Sequence, residues 1–194
     1  MGPDRWDARY REGIPRWDLG GAPPVLPELL AELPETSLRV LVPGAGHGHD
    51  ALAWAAAGHR VTAVDYAPLA VAGMIERVEA ADVRMTIHQG DVLDLPEAFT
   101  GRFDAVWEQT CFCALARSLR ADYVLSMANA LRPAGTFYGL FWNHGWEDGP
   151  PFDVTPELVR SLFLPSFSEV SLKAVEHSAP GRANEFLTVL TLLD

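Results

Sequence analysis

The 194-residue sequence predicts a doubly wound, Rossmann-like α/β domain whose mostly parallel sheet carries an antiparallel C-terminal hairpin. Two observations carry this. Between residue 38 and about residue 142, short apolar runs alternate with helical patterns at the spacing of right-handed βαβ crossovers. After Phe152 the alternation loosens into a helix and two strand-like runs joined by an irregular stretch.

The elements follow in order. The first 37 residues, rich in Trp, Pro and Gly, read as a helix plus an ordered arm. Leu38–Val42 is a short β-branched strand that runs into Pro43-Gly-Ala-Gly-His-Gly48. Asp50–Ala57 reads as a helix stopped by Gly58, the usual residue past a helix end. Arg60–Val64 is a second strand ending in Asp65, and Pro68–Ala81 a helix with proline in its first turn. Val83–His88 is a third strand, ending at Gly90-Asp91. Phe103–Trp107 is the fourth, and Arg120–Leu131 a helix closed by Arg132-Pro-Ala-Gly135. Thr136–Trp142 is the fifth strand and Thr155–Phe163 a helix. Glu169–Glu176 and Glu185–Leu192 form the hairpin, with a turn at Ala179-Pro-Gly181. At roughly 150 residues per domain, 1–194 is expected to be a single domain.

Composition narrows the partners. Twenty-six acidic against 15 basic residues give a net charge of −11, and Lys173 is the only lysine. Duplex DNA or an anionic membrane would demand clustered positive charge, so neither nucleic acid nor membrane is expected as a partner. The start lacks the basic-then-apolar layout of a secretory signal. Gly2 is no myristoylation site, because Trp6 stands where that motif needs Ser or Thr. Cys111 and Cys113, two apart on an expected strand end, would point to opposite faces and form no disulfide. These features predict a reduced, cytoplasmic protein.

Gly44, Gly46 and Gly48 lie between a strand and a helix, where bare backbone lets a ligand approach and the helix N-terminus offers N–H donors. Asp65 ends the next strand, placed to take both ribose hydroxyls of an adenosine, and Asp91 ends the third, placed to accept from an adenine amino group. In open α/β sheets ligands bind along that edge. The dinucleotide fingerprint wants a sixth-position glycine, where this chain has His49. The compact Gly-x-Gly-x-Gly is the pattern associated with S-adenosylmethionine (SAM). An NAD(P)-dependent oxidoreductase is the alternative reading of the same loop, and a non-catalytic SAM-binding module is another.

Longer motifs point further. Trp6-x-x-x-Tyr10-x-x-Gly13-x-x-x-Trp17-Asp18-x-Gly20, Val40 to Asp50, Ala63-Val-Asp65, Gln89-Gly-Asp91-Val-Leu-Asp94-Leu, Phe103 to Leu115 and Gly149-Pro-Pro-Phe152-x-Val-Thr occur in that order. Over nearly its whole length the chain thereby resembles the thiopurine, thiol and halide S-methyltransferases of the class I SAM-dependent fold. The resemblance implies a SAM-dependent enzyme that moves a methyl group to sulfur or another soft atom of a small molecule. It implies cofactor contacts at Trp6, Tyr10, Gly44, Gly46, Asp65, Asp91, Val92 and Gln109, with Gly48 completing the glycine loop, and a monomer. Gln109 departs from the pattern: the mammalian thiopurine branch has arginine there and the halide/thiol branch often an aromatic residue.

Methyl transfer from a sulfonium to a soft nucleophile needs placement more than acid–base help, and the sequence shows no convincing catalytic pair. Trp6, Tyr10 and Trp17 are expected to cover the cofactor, where a ring facing a sulfonium gains about 0.5–2 kcal/mol. Trp17, Trp142 and Phe152 are expected to line the acceptor pocket, with Trp146 clustering near the latter two. Arg9 and Arg182 are candidates to hold an anionic acceptor or a carboxylate. His47-Gly-His49-Asp50 echoes a metal-hydrolase run, but the spacing fails and no metal site is expected. His49 and Asp50 are read instead as shaping a first helical turn. The acidic balance favours uncharged sulfur acceptors over anions, within a screening length of about 8 Å.

Overall fold

β1 (Arg39–Pro43) is buried along nearly its whole length, as a strand covered on both faces must be. The computed structural model describes residues 3–13 and 17–193. Gly2 therefore lies outside the described residues, as do positions 14–16 of the N-terminal arm. The chain divides into two units, residues 1–92 and 93–194.

In the first unit β1 pairs in parallel with β2 (Arg60–Asp65), which pairs in parallel with β3 (Thr86–Gln89). Crossover helices α3 (His49–Ala56) and α4 (Pro68–Ala81) connect them. α3 buries Ala51 and Trp54, and α4 buries Ala70 and Met74, four residues apart on one face. Two helices precede the sheet, where one helix and an arm were expected: α1 (Pro3–Arg11) and α2 (Val25–Glu32). α1 packs on α4, and the Asp7 carboxylate there accepts from the Leu69 N–H at 3.1 Å. β3 begins at Thr86 rather than Val83. α4 ends on Asp82 in the left-handed region (φ 50°), and the next three residues return the chain to the sheet.

In the second unit the order is β4-β5-β7-β6. β4 (Phe103–Gln109) and β5 (Leu131–Trp142) are parallel, whereas β7 (Glu185–Leu192) runs antiparallel to both β5 and β6 (Phe167–Ala174). The expected hairpin is thus present, with its second strand innermost. α5 (Arg120–Ala130) and α6 (Pro156–Phe163) accompany them, α6 starting on a Thr155 side chain that accepts from the Leu158 N–H at 3.2 Å. Phe112, Phe137, Phe141, Phe163 and Phe167 interlock as the aromatic core. β5 starts at Leu131, not Thr136: Arg132-Pro-Ala-Gly135 is a wide irregularity within the strand, where the register against β4 jumps between Phe103 and Ala105. β6 starts two residues early because buried Phe167 anchors it in the aromatic core. No helix among the described residues is long and apolar enough to cross a membrane.

Candidate functional site

The parallel register of the first unit sets Pro43 beside Val64 and Asp65 beside Gln89, so the loops after β1, β2 and β3 leave one edge of the sheet together. Gly44, Gly46 and Gly48 all have positive φ there. Asp65 is nearly buried and holds this edge: its Oδ2 accepts from the Gly46 N–H at 2.7 Å and its Oδ1 from the Ala67 N–H at 2.9 Å. Its own carbonyl accepts from the Gly90 N–H at 3.0 Å, which brings the Asp91–Val92 turn to the same edge. Burial raises the Asp65 pKa against the N–H groups of Ala67, Gly46 and Tyr66. A carboxylate has about four lone-pair sites, so beside the Gly46, Ala67 and Tyr66 N–H groups Asp65 retains capacity for a further hydroxyl donor.

Gly48 is the most constrained glycine of the loop. Its φ is +79°, and a Cβ added there would stand 2.5 Å from Met74 Cγ on α4. Gly48→Ala is expected to cost about 2–3 kcal/mol from left-handed strain plus overpacking, read as a lowered denaturation midpoint with unchanged slope.

The three aromatics of the N-terminal arm contact one another in the first unit. The Trp6 and Trp17 rings meet edge-on at 5.4 Å, and Tyr10 and Trp17 at 5.7 Å. The Tyr10 hydroxyl lies 3.3 Å from where a Gly46 Cβ would stand, so the arm reaches the glycine loop. Burial, then the Asp65 carboxylate, drive the Tyr10 phenol pKa well up, and it stays a neutral donor. Arg9, a candidate anion holder, instead lays its guanidinium over Trp6 and Trp17 at 5.6 and 5.8 Å.

Asp18 had no assigned role. Its carboxylate accepts from Gly20 N–H at 2.8 Å, lies 2.5 Å from His47 Nδ1 and 3.1 Å from His49 Nε2. Burial would raise its pKa, but Gly20 and His47 outweigh that and hold it low. His49 begins α3 and Asp50 sits in its first turn, as read from the sequence.

In the second unit Gln109 ends β4 and is followed by Thr110 at φ +64°, an unusual conformation for a β-branched residue. The Gln109 side-chain nitrogen is buried without a hydrogen-bond partner. Glu108, beside it, was not singled out. Fully buried, its Oε1 accepts from the Cys111 and Phe112 N–H groups at 3.0 and 2.8 Å, and its Oε2 from the Tyr123 hydroxyl. Burial pushes its pKa up to about 7 despite those donors. The available signal was an acid directly after the apolar run Ala105–Trp107 of the strand.

Cys111 and Cys113 are free and buried, and they lie on a short 3-10 turn (Phe112–Ala114) and its cap rather than on a strand end. Burial pushes the Cys113 thiol up to about 12, which makes it a poor redox sensor.

Trp142 and Phe152 have different surroundings. Trp142 meets His144 at 4.7 Å and Trp146 at 5.1 Å, and donates its Nε1–H to the Ala183 carbonyl at 2.8 Å. The buried Arg182 guanidinium lies over the Trp142 ring at 5.5 Å and 3.9 Å from Glu185. Phe152 sits instead under Arg117 and Arg120, 5.6 and 5.7 Å away, with its N–H on the Cys113 carbonyl.

Known proteins share this chain's pattern. The family described as thiopurine S-methyltransferase matches residues 1–189. Thiocyanate methyltransferase 1 of Arabidopsis thaliana is 29% identical, over 91% of this chain and 79% of that protein. A solved structure described under conversion of a disulfide bond into a thioacetal group during echinomycin biosynthesis superposes with a TM-score of 0.84 at 21% identity, covering 98% of this chain and 93% of the other. Burkholderia thailandensis 1,6-didemethyltoxoflavin-N1-methyltransferase, solved with S-adenosylhomocysteine, gives 0.71 at 22% identity, over 100% and 92%. These likenesses show the class I methyltransferase fold.

Proposed function

The chain belongs to the thiopurine S-methyltransferase family, and from that premise we propose how its residues divide the work of a SAM-dependent methyltransferase. The enzyme moves a methyl group to the sulfur of a small molecule, and the nicotinamide alternative and the non-catalytic module are set aside. The observation that supports the assignment best is the edge where the glycine loop, Asp65 and Asp91 meet beneath Tyr10 and Trp17.

The residues fit the cofactor. Asp65 keeps lone-pair capacity for a ribose hydroxyl, and Gln109 carries a buried amide nitrogen in want of an acceptor. In our reading Gly44, Gly46 and Gly48 present bare backbone to the cofactor, Asp91 and Val92 take its base, and Trp6 and Tyr10 cover it. Trp17, Trp142 and Phe152 face the acceptor. SAM, when bound, supplies an activated methyl on a sulfonium. The protein orients the acceptor sulfur in line and excludes water; the acceptor would react as its thiolate, its proton having passed to solvent before the site closes, and an S–CH₃ bond would replace the methyl–sulfonium bond. Neutral Tyr10 and the unreactive Cys113 thiol offer no base, consistent with catalysis by placement.

Uncharged thiols and thiopurines suit a chain of net charge −11 better than thiocyanate or iodide. Free buried cysteines fit a reducing, cytoplasmic setting. Calorimetry with SAM and its demethylated product, followed by a screen of thiols, thiopurines, hydrosulfide and iodide, tests the assignment; absence of cofactor binding overturns it. Trp17→Ala is expected to lower kcat/KM at least tenfold, because the two edge contacts that hold the arm are lost. Unchanged turnover would remove the arm from the acceptor's surroundings.

A further inference from the structure

The Asp18–His47–His49 cluster belongs to no part of the methyl-transfer machinery assigned above, yet it has the makings of a metal site. One ligand atom from each residue lies within 4.8 Å of the others. We propose that these three side chains bind a divalent first-row transition ion of the zinc type, which clasps the Trp17–Asp18 segment to the glycine loop.

Donor chemistry carries the argument first. Two imidazoles and one carboxylate are a set that zinc, cobalt(II) and nickel(II) accept, with further positions left to water. The ligands come from segments 29 residues apart, and all three side chains are mostly buried: Asp18 is 9% exposed, His47 21% and His49 20%. The His47 ring packs against Gly73 of α4, where a Cβ would stand 3.2 Å from it, so a larger residue there would displace the ligand. Asp18 is held from behind by the Gly20 N–H, the kind of outer contact that orients a metal-binding carboxylate.

Both rings converge on the one carboxylate: His47 Nδ1 lies 2.5 Å from Asp18 Oδ2 and His49 Nε2 lies 3.1 Å from Asp18 Oδ1. An ion at bonds of about 2.0–2.1 Å separates tetrahedral ligand atoms by about 3.4 Å. To admit one, the Asp18 carboxylate withdraws by about an ångström from His47, and ligand atoms up to 4.8 Å apart close toward that spacing. Charge around the cluster is mixed: Arg77 faces His49 and opposes a cation, whereas Asp65 faces His47 and favours one. Because Trp17 adjoins Asp18 and braces Trp6 and Tyr10, a bound ion would stiffen the whole aromatic arm.

The test uses the full chain, stripped of metal with a chelator, and does not depend on methyl transfer. Titration with cobalt(II) is expected to give the intense visible absorption of a four-coordinate site, and calorimetry with zinc a single ion per chain. His47→Ala, His49→Asn and Asp18→Asn should each weaken zinc binding about tenfold or more. His177→Ala, at an exposed histidine, should leave it unchanged. Zinc should also raise the unfolding temperature of the wild type but not that of His47→Gln, whose cooperative melt without metal certifies its fold. Binding that is equal in wild type and ligand variants, or a weak six-coordinate cobalt spectrum, overturns the proposal.

Discussion

Glu108→Ala is expected to destabilise the protein by about 3–5 kcal/mol near pH 5, since it leaves the Cys111 and Phe112 N–H groups and the Tyr123 hydroxyl as buried donors without acceptors. For a chain of this length that is a fall in Tm on the order of 10 °C. The loss should be smaller at pH 8, for a reason that lies in the wild type. Glu108 titrates at about 7 in the folded protein against 4.5 ordinarily, so the folded state binds the extra proton between those values. Its contribution is fully present below about pH 4.5 and disappears as pH rises through about 7, a change of about 3 kcal/mol. Asp65 and Glu185, also raised by burial, slope the same way, and Asp18 the opposite way. The difference between wild type and Glu108→Gln therefore isolates this group. Glu108→Gln, which keeps a carbonyl for the two N–H groups, should melt near the wild-type temperature at pH 5 and above it at pH 8. Thermal melts of the three proteins across that range check the prediction; parallel curves for wild type and Glu108→Gln would refute the assignment of the slope to Glu108.

Asp65→Ala is expected to weaken SAM binding by 100-fold or more on the order of two charge-assisted hydrogen bonds, each worth about 1.5–3 kcal/mol. Two losses combine in one substitution. The acceptors proposed for the ribose hydroxyls go, and so does the tie from Asp65 Oδ2 to the Gly46 N–H that shapes the loop. Asp65→Asn separates them, because one carbonyl oxygen remains for the loop or for the ribose but not the full charge for both. Calorimetric Kd values in the order wild type, Asn, Ala are expected, and equal affinity for wild type and Ala would remove Asp65 from the cofactor's contacts.

The glycine loop, Asp65 and Asp91 were legible in the sequence because each is read from neighbours within a few residues: a β-branched run, a stop, and the residue that ends it. The same local logic located most of the strands and helices, and it failed where the chain departed from regular patterns. Arg132-Pro-Ala-Gly135 looks like a turn by composition, yet β5 absorbs it as an irregularity within a continuous strand. Cys111 and Cys113 were placed on a strand end because period-two reasoning cannot see that the Glu108 carboxylate gathers the following N–H groups into a 3-10 turn.

What the sequence alone determined, then, is the order of the elements and the chemical character of the edge where they end, since hydrophobic periodicity and glycine act over short distances along the chain. Only the tertiary structure decided the partners of the polar groups. His47 and His49 adjoin Asp50 in sequence but face Asp18, 29 residues away. Arg9 and Arg182 lie over tryptophan rings, and Phe152 lies against Arg117 and Arg120. A buried charge must find its compensation wherever packing brings a partner within about 3 Å, and that distance has no counterpart in residue number.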